Sequence, residues 1–205
     1  PREGGNHLAY FPHIYSLDFE LSQAYDSEGD DTIPSWEQYR LEEAAAQNCP
    51  MLIGEWGFDS SWDNADQAYR DVLAMSERST LGFTYWSLDP GGWGIIDGDW
   101  NEKSPVEHIV RTYPRAVAGV PVSRGFDPDT RDFFVEFITR EGVTGPTEIY
   151  IPAARHYPDG WTLTVDQPED SWSVEWDENR DIARVTTTTT GTIRIEVRAT
   201  DDDST

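Results

Sequence analysis

Pro50-Met51-Leu52-Ile53-Gly54-Glu55-Trp56-Gly57 is a short apolar run that ends in a carboxylate flanked by two glycines. The apolar part suits a buried strand, and the glycines let the backbone turn sharply and a ligand come close. A carboxylate at the C-terminal mouth of a parallel strand stands where a barrel enzyme keeps its chemistry. Taken alone, the run fits an ordinary strand-to-loop turn as well. The segments on either side decide between the two.

Upstream, residues 8–15 (Leu-Ala-Tyr-Phe-Pro-His-Ile-Tyr) read as an aromatic-rich strand, and a polar, acidic loop follows through Asp31. Residues 35–47 suit a helix, with Glu42, Glu43 and three alanines as good helix formers. Downstream, Ala65, Ala68, Tyr69, Val72 and Leu73 form an i, i+3, i+4, i+7 stripe that predicts an amphipathic helix over 65–79. Residues 81–88 read as a third strand, and Asp89-Pro90-Gly91-Gly92 opens a loop. Ser104-Pro105-Val106-Glu107 starts a third helix, with Ser as N-cap, Pro at the first helical position and Glu three after the cap. Strands alternating with helices in this order predict a parallel sheet.

The alternation stops near Ala118-Gly119-Val120-Pro121. Beyond it the period falls to two. Residues 133–139, 147–151, 162–165, 173–176, 183–189 and 192–199 read as short strands separated by turns such as Pro158-Asp159-Gly160. The threonine run from 186 to 190 fits a strand with a polar face, because threonine is β-branched. Short strands at this spacing predict an antiparallel sandwich. The chain is therefore expected to be α/β over residues 1–118 and all-β over residues 119–205.

The formal net charge is −24. Residues 1–118 carry 21 acids against 7 bases and residues 119–205 carry 18 against 8, so the acidity belongs to the whole chain and not to a tail. A phosphate backbone needs a basic face, which argues against a nucleic-acid partner. Lys103 is the only lysine; the other 14 bases are arginine. A surface so acidic repels itself unless salt screens it, so the composition points to a salt-loving source. Cys49 is alone, which rules out an intramolecular disulfide and fits a small buried apolar residue. No stretch is apolar enough to span a bilayer. Pro1-Arg2-Glu3 reads as the interior of a longer protein whose targeting signal lies elsewhere.

The three predicted parallel strands end in His13 and Tyr15, in Glu55, and in Trp86. His13 and Tyr15 are two apart and share a side of their strand. A tyrosine hydroxyl beside a carboxylate holds it in place and favours its ionised form. The indole plane of Trp86 offers a platform for a sugar face, and Trp56 is grouped with it as substrate-binding. Read singly, each of these aromatics and His13 also fits a core position. No phosphate-binding Gly-rich loop or G-x-S-x-G elbow is present. One cysteine and the scattered His7, His13, His108 and His156 give no zinc spacing.

Pro12-His13-Ile14-Tyr15, Gly54-Glu55-Trp56-Gly57 and Tyr85-Trp86-Ser87 resemble the sixth, seventh and eighth strands of a glycoside hydrolase family 5 barrel. Asp89-Pro90-Gly91-Gly92-Trp93-Gly94, Tyr113-Pro114-Arg115-Ala116-Val117-Ala118-Gly119 and Phe126-Asp127-Pro128 are similar to the endoglycoceramidase branch, in which a β-sandwich follows the barrel. The resemblance implies the last three β/α units of a (β/α)8 barrel, then an antiparallel β-sandwich. It implies that Glu55 is the nucleophile of a retaining glycosidase, that His13 and Tyr15 orient it, and that Trp86 walls the sugar subsite. It implies cleavage of a β-glycosidic bond between glucose or a glycan and a lipid such as ceramide, with no metal or organic cofactor. Transient contact with a lipid surface and an extracellular location would go with that substrate.

Retaining hydrolysis needs two carboxyl groups about 5–5.5 Å apart. The family's acid/base glutamate lies on a fourth strand to which nothing in this sequence corresponds. Asp59 and Asp89 lie near the right strand ends, but both read better as turn residues. A barrel takes about 250 residues, so the N-terminal half is expected from elsewhere and the isolated chain is expected to be inactive. Two further readings stay open. One is a cellulase-type hydrolase of soluble β-glucans. The other is a non-catalytic binding or structural piece whose Trp161, Trp172 and Trp176 either meet glycans or fill the sandwich core.

Overall fold

The computed structural model describes residues 8–200 and divides the chain into two compact units, one ending at Ile109 and the other starting at Val110. In the first unit, the stripe predicted over 65–79 is α3 (Ala65–Arg78), preceded by α1 (Leu17–Ser22) and α2 (Thr32–Gln47). The stripe residues Ala65, Ala68, Tyr69, Val72 and Leu73 are all buried, as is Met75. Each large side chain so buried contributes about 1.5–3 kcal/mol. α1 lies inside the stretch that reads as loop. Ser16 nucleates it by accepting a hydrogen bond from the Phe19 N–H at 3.1 Å, a side-chain N-cap. α4 (Pro105–Ile109) starts where the Ser-Pro-x-Glu signal puts it.

Three parallel runs carry the sheet of this unit. β1 (Leu52–Ile53) pairs in parallel with β2 (Gly82–Phe83). Residues 10–14 lie along the other side of β1, with parallel bridges Tyr10 to Met51 and His13 to Glu55. Leu52 N donates to Tyr10 O at 3.0 Å, Gly54 N to Pro12 O at 2.9 Å and Ile14 N to Glu55 O at 2.9 Å. Thr84 N to Ile53 O and Trp86 N to Trp56 O, each 2.9 Å, extend the ladder on the other side. The strands are shorter than the apolar runs suggest, and the sheet they make is open. Behind it, Ile53, Trp56, Phe58, Tyr69, Leu73 and Met75 form the centre of a core.

The second unit holds two four-stranded antiparallel sheets. Its strands are β3 (Tyr113–Ala116), β4 (Gly119–Phe126), β5 (Phe133–Thr139), β6 (Thr147–Tyr150), β7 (Trp161–Val165), β8 (Trp172–Asp177), β9 (Ile182–Thr187) and β10 (Thr192–Ala199). One sheet runs β4-β5-β10-β7 and the other β3-β6-β9-β8. Alternate residues face a common core: Phe133, Val135 and Phe137 from β5, and Ile193, Ile195 and Val197 from β10. The short helix α5 (Ala153–His156) links β6 to β7.

Four expectations change. The all-β part begins at Val110 and not at 119, because β3 pairs with β6 and belongs to the second unit. Neither β3 nor β4 is anticipated as a strand. Both contain proline, both are edge strands, and both carry a register shift where the proline sits, positions where a missing N–H costs no ladder bond. Cys49 is half-buried and not enclosed. The threonine run leaves the strand after Thr187.

Candidate active site

Glu55 ends the central parallel run, and its neighbours come from the run beside it. His13 Nδ1 lies 3.1 Å from Glu55 Oε2, and the Tyr15 hydroxyl donates to the same oxygen at 3.1 Å. Both contacts follow from register: His13 is the parallel bridge partner of Glu55, and Tyr15 lies two residues on, on the same side. With both neighbours on Oε2, the other oxygen, Oε1, has no hydrogen-bond partner among the described residues. Burial, and then the hydrogen bond to Glu55, push the Tyr15 phenol well above its ordinary value, so it remains a protonated donor through the neutral range.

Two supports hold His13. The Trp36 indole N–H, from α2, donates to the His13 carbonyl at 2.7 Å. Gly54 leaves room for the ring: a Cβ there would stand 2.8 Å from Phe11 O and 3.0 Å from the His13 ring. On the far side, a Cβ at Gly57 would collide with the Trp86 carbonyl, so this glycine lets the β2 run approach. The Trp86–Ser87 peptide is cis, and the Trp86 side chain is 51% exposed. His13 and Glu55 side chains are 48% and 33% exposed. The site is an open cleft with a carboxylate acceptor, a hydroxyl donor, an imidazole beside them and an exposed indole.

Trp56 is not part of that cleft. It is 1% exposed and packs edge-on against Tyr69, Phe83 and Tyr85. Adjacent strand residues point to opposite faces, so a cleft-facing Glu55 sends Trp56 into the core. Asp59 and Asp89 are turn residues. Asp59 accepts from the Ser61 N–H and hydroxyl at 2.9 and 2.7 Å, and Asp89 accepts from Ser87 and from the Gly91 N–H. The Ser87 hydroxyl, then Gly91, hold Asp89 below the usual carboxylate range, opposite to what an acid catalyst needs. Among the described residues, no group of three or more His, Cys, Asp or Glu side chains could hold a metal ion. Trp161, Trp172 and Trp176 pack against the sandwich core, and Trp161 and Trp176 meet edge-to-face at 5.0 Å. Sequence reasoning leaves out Trp36 and Trp93. Trp93 lies in a quoted motif, but nothing in its spacing says that it touches Tyr15.

Residues 1–92 match the cellulase domain of glycosyl hydrolase family 5, and residues 111–197 match the glycoside hydrolase family 5 C-terminal domain. The chain belongs to glycoside hydrolase family 5 and is homologous to the endoglycoceramidases. It is 35% identical over 119 residues to endoglycoceramidase I of Rhodococcus hoagii, an alignment that takes in 58% of this chain and 22% of that protein. The endo-glycoceramidase II of Rhodococcus sp., solved as its ganglioside GM3 complex, superposes with a TM-score of 0.84 at 26% identity over 98% of this chain and 44% of that one. The lactosyl-enzyme intermediate of the same protein superposes at 0.78, with 27% identity over 98% of this chain and 44% of that one. The chain thus spans less than half the length of these relatives.

Proposed function

We propose that this protein supplies the nucleophile half of a retaining β-glycosidase that separates a glycan or glucose from a lipid. The observation that carries the reading is the sharing of Glu55 Oε2 by His13 and Tyr15. The Tyr15 hydrogen bond and the His13 contact on one oxygen hold the carboxylate and leave Oε1 to attack an anomeric carbon. As the glycosyl ester forms, the negative charge leaves the carboxylate. The two contacts therefore aim Glu55 more than they stabilise the covalent state, and they strengthen again when water releases the sugar. Trp86 gives the sugar an apolar wall. The carboxyl group that protonates the leaving oxygen and later activates water stands about 5–5.5 Å from the nucleophile in such enzymes. It comes from the part of a complete barrel that an open three-run sheet does not include. The lipid aglycone is supported by the relatives: endoglycoceramidases by name, one of them bound to a ganglioside.

The test is covalent trapping in a polypeptide that carries the complete barrel. A 2-deoxy-2-fluoro aryl glycoside is expected to label Glu55, and Glu55→Gln is expected to abolish both labelling and turnover. Label on another carboxylate, or turnover retained in Glu55→Gln, defeats the assignment. Parallel assays on a glucosylceramide and on soluble cello-oligosaccharides separate the glycolipid reading from the cellulase one.

A further inference from the structure

The loop after β2, residues 87–103, is built around the only lysine in the chain. Lys103 Nζ donates to the carbonyls of Gly91 and Gly92 at 3.0 and 2.8 Å, and its backbone N–H donates to Ile95 O at 2.8 Å. The Asp89 carboxylate takes the Gly91 N–H at 2.6 Å, and Gly94 N donates back to Gly91 O at 3.0 Å. Asp97 closes the next turn, accepting from the N–H groups of Asp99 and Asn101 at 2.9 Å each. A Cβ at Gly94 would collide with the Asp89 carbonyl, and one at Gly92 with the Asp59 carboxylate. An ammonium suits the centre of this turn better than a guanidinium: it is a compact charge whose three donors can meet two convergent carbonyls.

What the loop presents is Trp93. Its carbonyl accepts from the Tyr85 hydroxyl at 3.1 Å. Its ring lies 5.6 Å from the Tyr15 ring and 5.8 Å from that of Trp62, so it is wedged between the site and the unit's own packing. The Tyr15 ring touches His13 on another side, edge-on at 6.4 Å. Tyr15 has only two soft torsions, and its hydroxyl sits at the end of a long lever. A small swing of the ring takes that hydroxyl out of reach of Glu55 Oε2. Trp93 stands where it blocks such a swing.

We propose that Lys103 and Trp93 are positioning residues for Glu55: the ammonium fixes the 89–94 loop, the loop seats Trp93 on Tyr15, and Trp93 keeps the Tyr15 hydroxyl on Oε2. The functional weight of this rests on Glu55 being the nucleophile; the mechanical coupling does not. Two variants test it, Lys103→Met and Trp93→Ala. The direct readout is nitrogen-15 NMR of the four histidine side chains in the 205-residue chain. His13 signals are expected to shift or broaden in both variants, while His156, in the second unit, keeps its own. His108, on α4 close to Lys103, reports whether Lys103→Met has loosened α4. Trp93→Ala leaves that lysine and helix in place, so it decides the case where His108 moves. Unchanged His13 signals in both variants overturn the proposal.

Kinetics on a polypeptide with the complete barrel give a second, independent readout. A positioning role leaves substrate binding alone, so on a soluble aryl glycoside kcat is expected to fall about 10- to 100-fold, with KM changed by no more than about 2-fold. A change confined to KM would make Trp93 a binding wall and overturn the positioning role. If the unaltered protein turns over no glycoside, the hydrolase reading fails, and the NMR result still decides the coupling.

Discussion

The Tyr15 hydroxyl donates to Glu55 Oε2 and His13 lies against the same oxygen, while Oε1 has no hydrogen-bond partner among the described residues, so the two oxygens of one carboxylate are chemically distinct. Removing the Tyr15 hydroxyl leaves the ring packed on Trp93 but frees one side of the carboxylate. Tyr15→Phe is expected to lower kcat by about 10–100-fold in a complete barrel with little change in KM, since misplacing a reacting group by about 1 Å costs up to 100-fold. Steady-state kinetics on an aryl glycoside would show it, and an unchanged kcat would remove Tyr15 from the machinery. His13, Tyr15 and Glu55 were legible from strand ends and a period of two. Trp56, grouped with Trp86 as substrate-binding, lies in the core instead. The same alternation, applied to residue 56, sends it to the core. Trp56→Ala should therefore act on folding, costing about 3–5 kcal/mol in denaturant unfolding, as truncating a large core aromatic does.

At the scale of elements, α3 is where periodicity was most informative, because a helix that buries one face must repeat its apolar residues on that face. Leu73, fully enclosed, and Leu21, exposed on α1, make a matched pair. Leu73→Ala is expected to lower unfolding stability by about 2–5 kcal/mol. Leu21→Ala is expected to stay within about 0.5 kcal/mol of the parent. Equal effects would contradict the burial. In the second unit, Tyr157 donates its hydrogen to Arg131 O at 2.8 Å, so the Thr112 hydroxyl, 2.7 Å away, donates to the phenol oxygen. Burial pushes the Tyr157 phenol up to about 12 from an ordinary value of 10.0. The stability gained by keeping it neutral is complete below pH 10 and is lost as the pH rises towards 12, a loss of up to about 3 kcal/mol. The difference in unfolding free energy between the parent and Tyr157→Phe should therefore shrink across that window. A constant difference from pH 9 to 12 would show that the phenol does not titrate as the burial requires.

At the scale of the whole molecule, charge dominates. With a net charge of −24, intramolecular repulsion is expected to weaken the folded state at low salt. The screening length falls from about 10 Å at 0.1 M to about 3 Å at 1 M salt. We read the composition as an adaptation to salt. The thermal midpoint is accordingly expected to climb with sodium chloride, most steeply below about 1 M, where screening changes most. A flat or falling midpoint over that range would refute the reading.

The sequence by itself determined the order of elements, the change from parallel to antiparallel structure and the identity of the central carboxylate, because these rest on local periodicity and on residues two apart in one strand. It did not reveal the proline-bearing edge strands β3 and β4, whose pairing is decided by a partner strand and not by their own propensity. Only the tertiary structure brought Tyr15 and His13 onto one oxygen of Glu55 and laid Trp93 on Tyr15. Those contacts join residues 40 or more apart, or separate loops, and a sum over neighbours along the chain carries no term for them. Glu55 is named by its own stretch of sequence, and how it is held is decided by the fold.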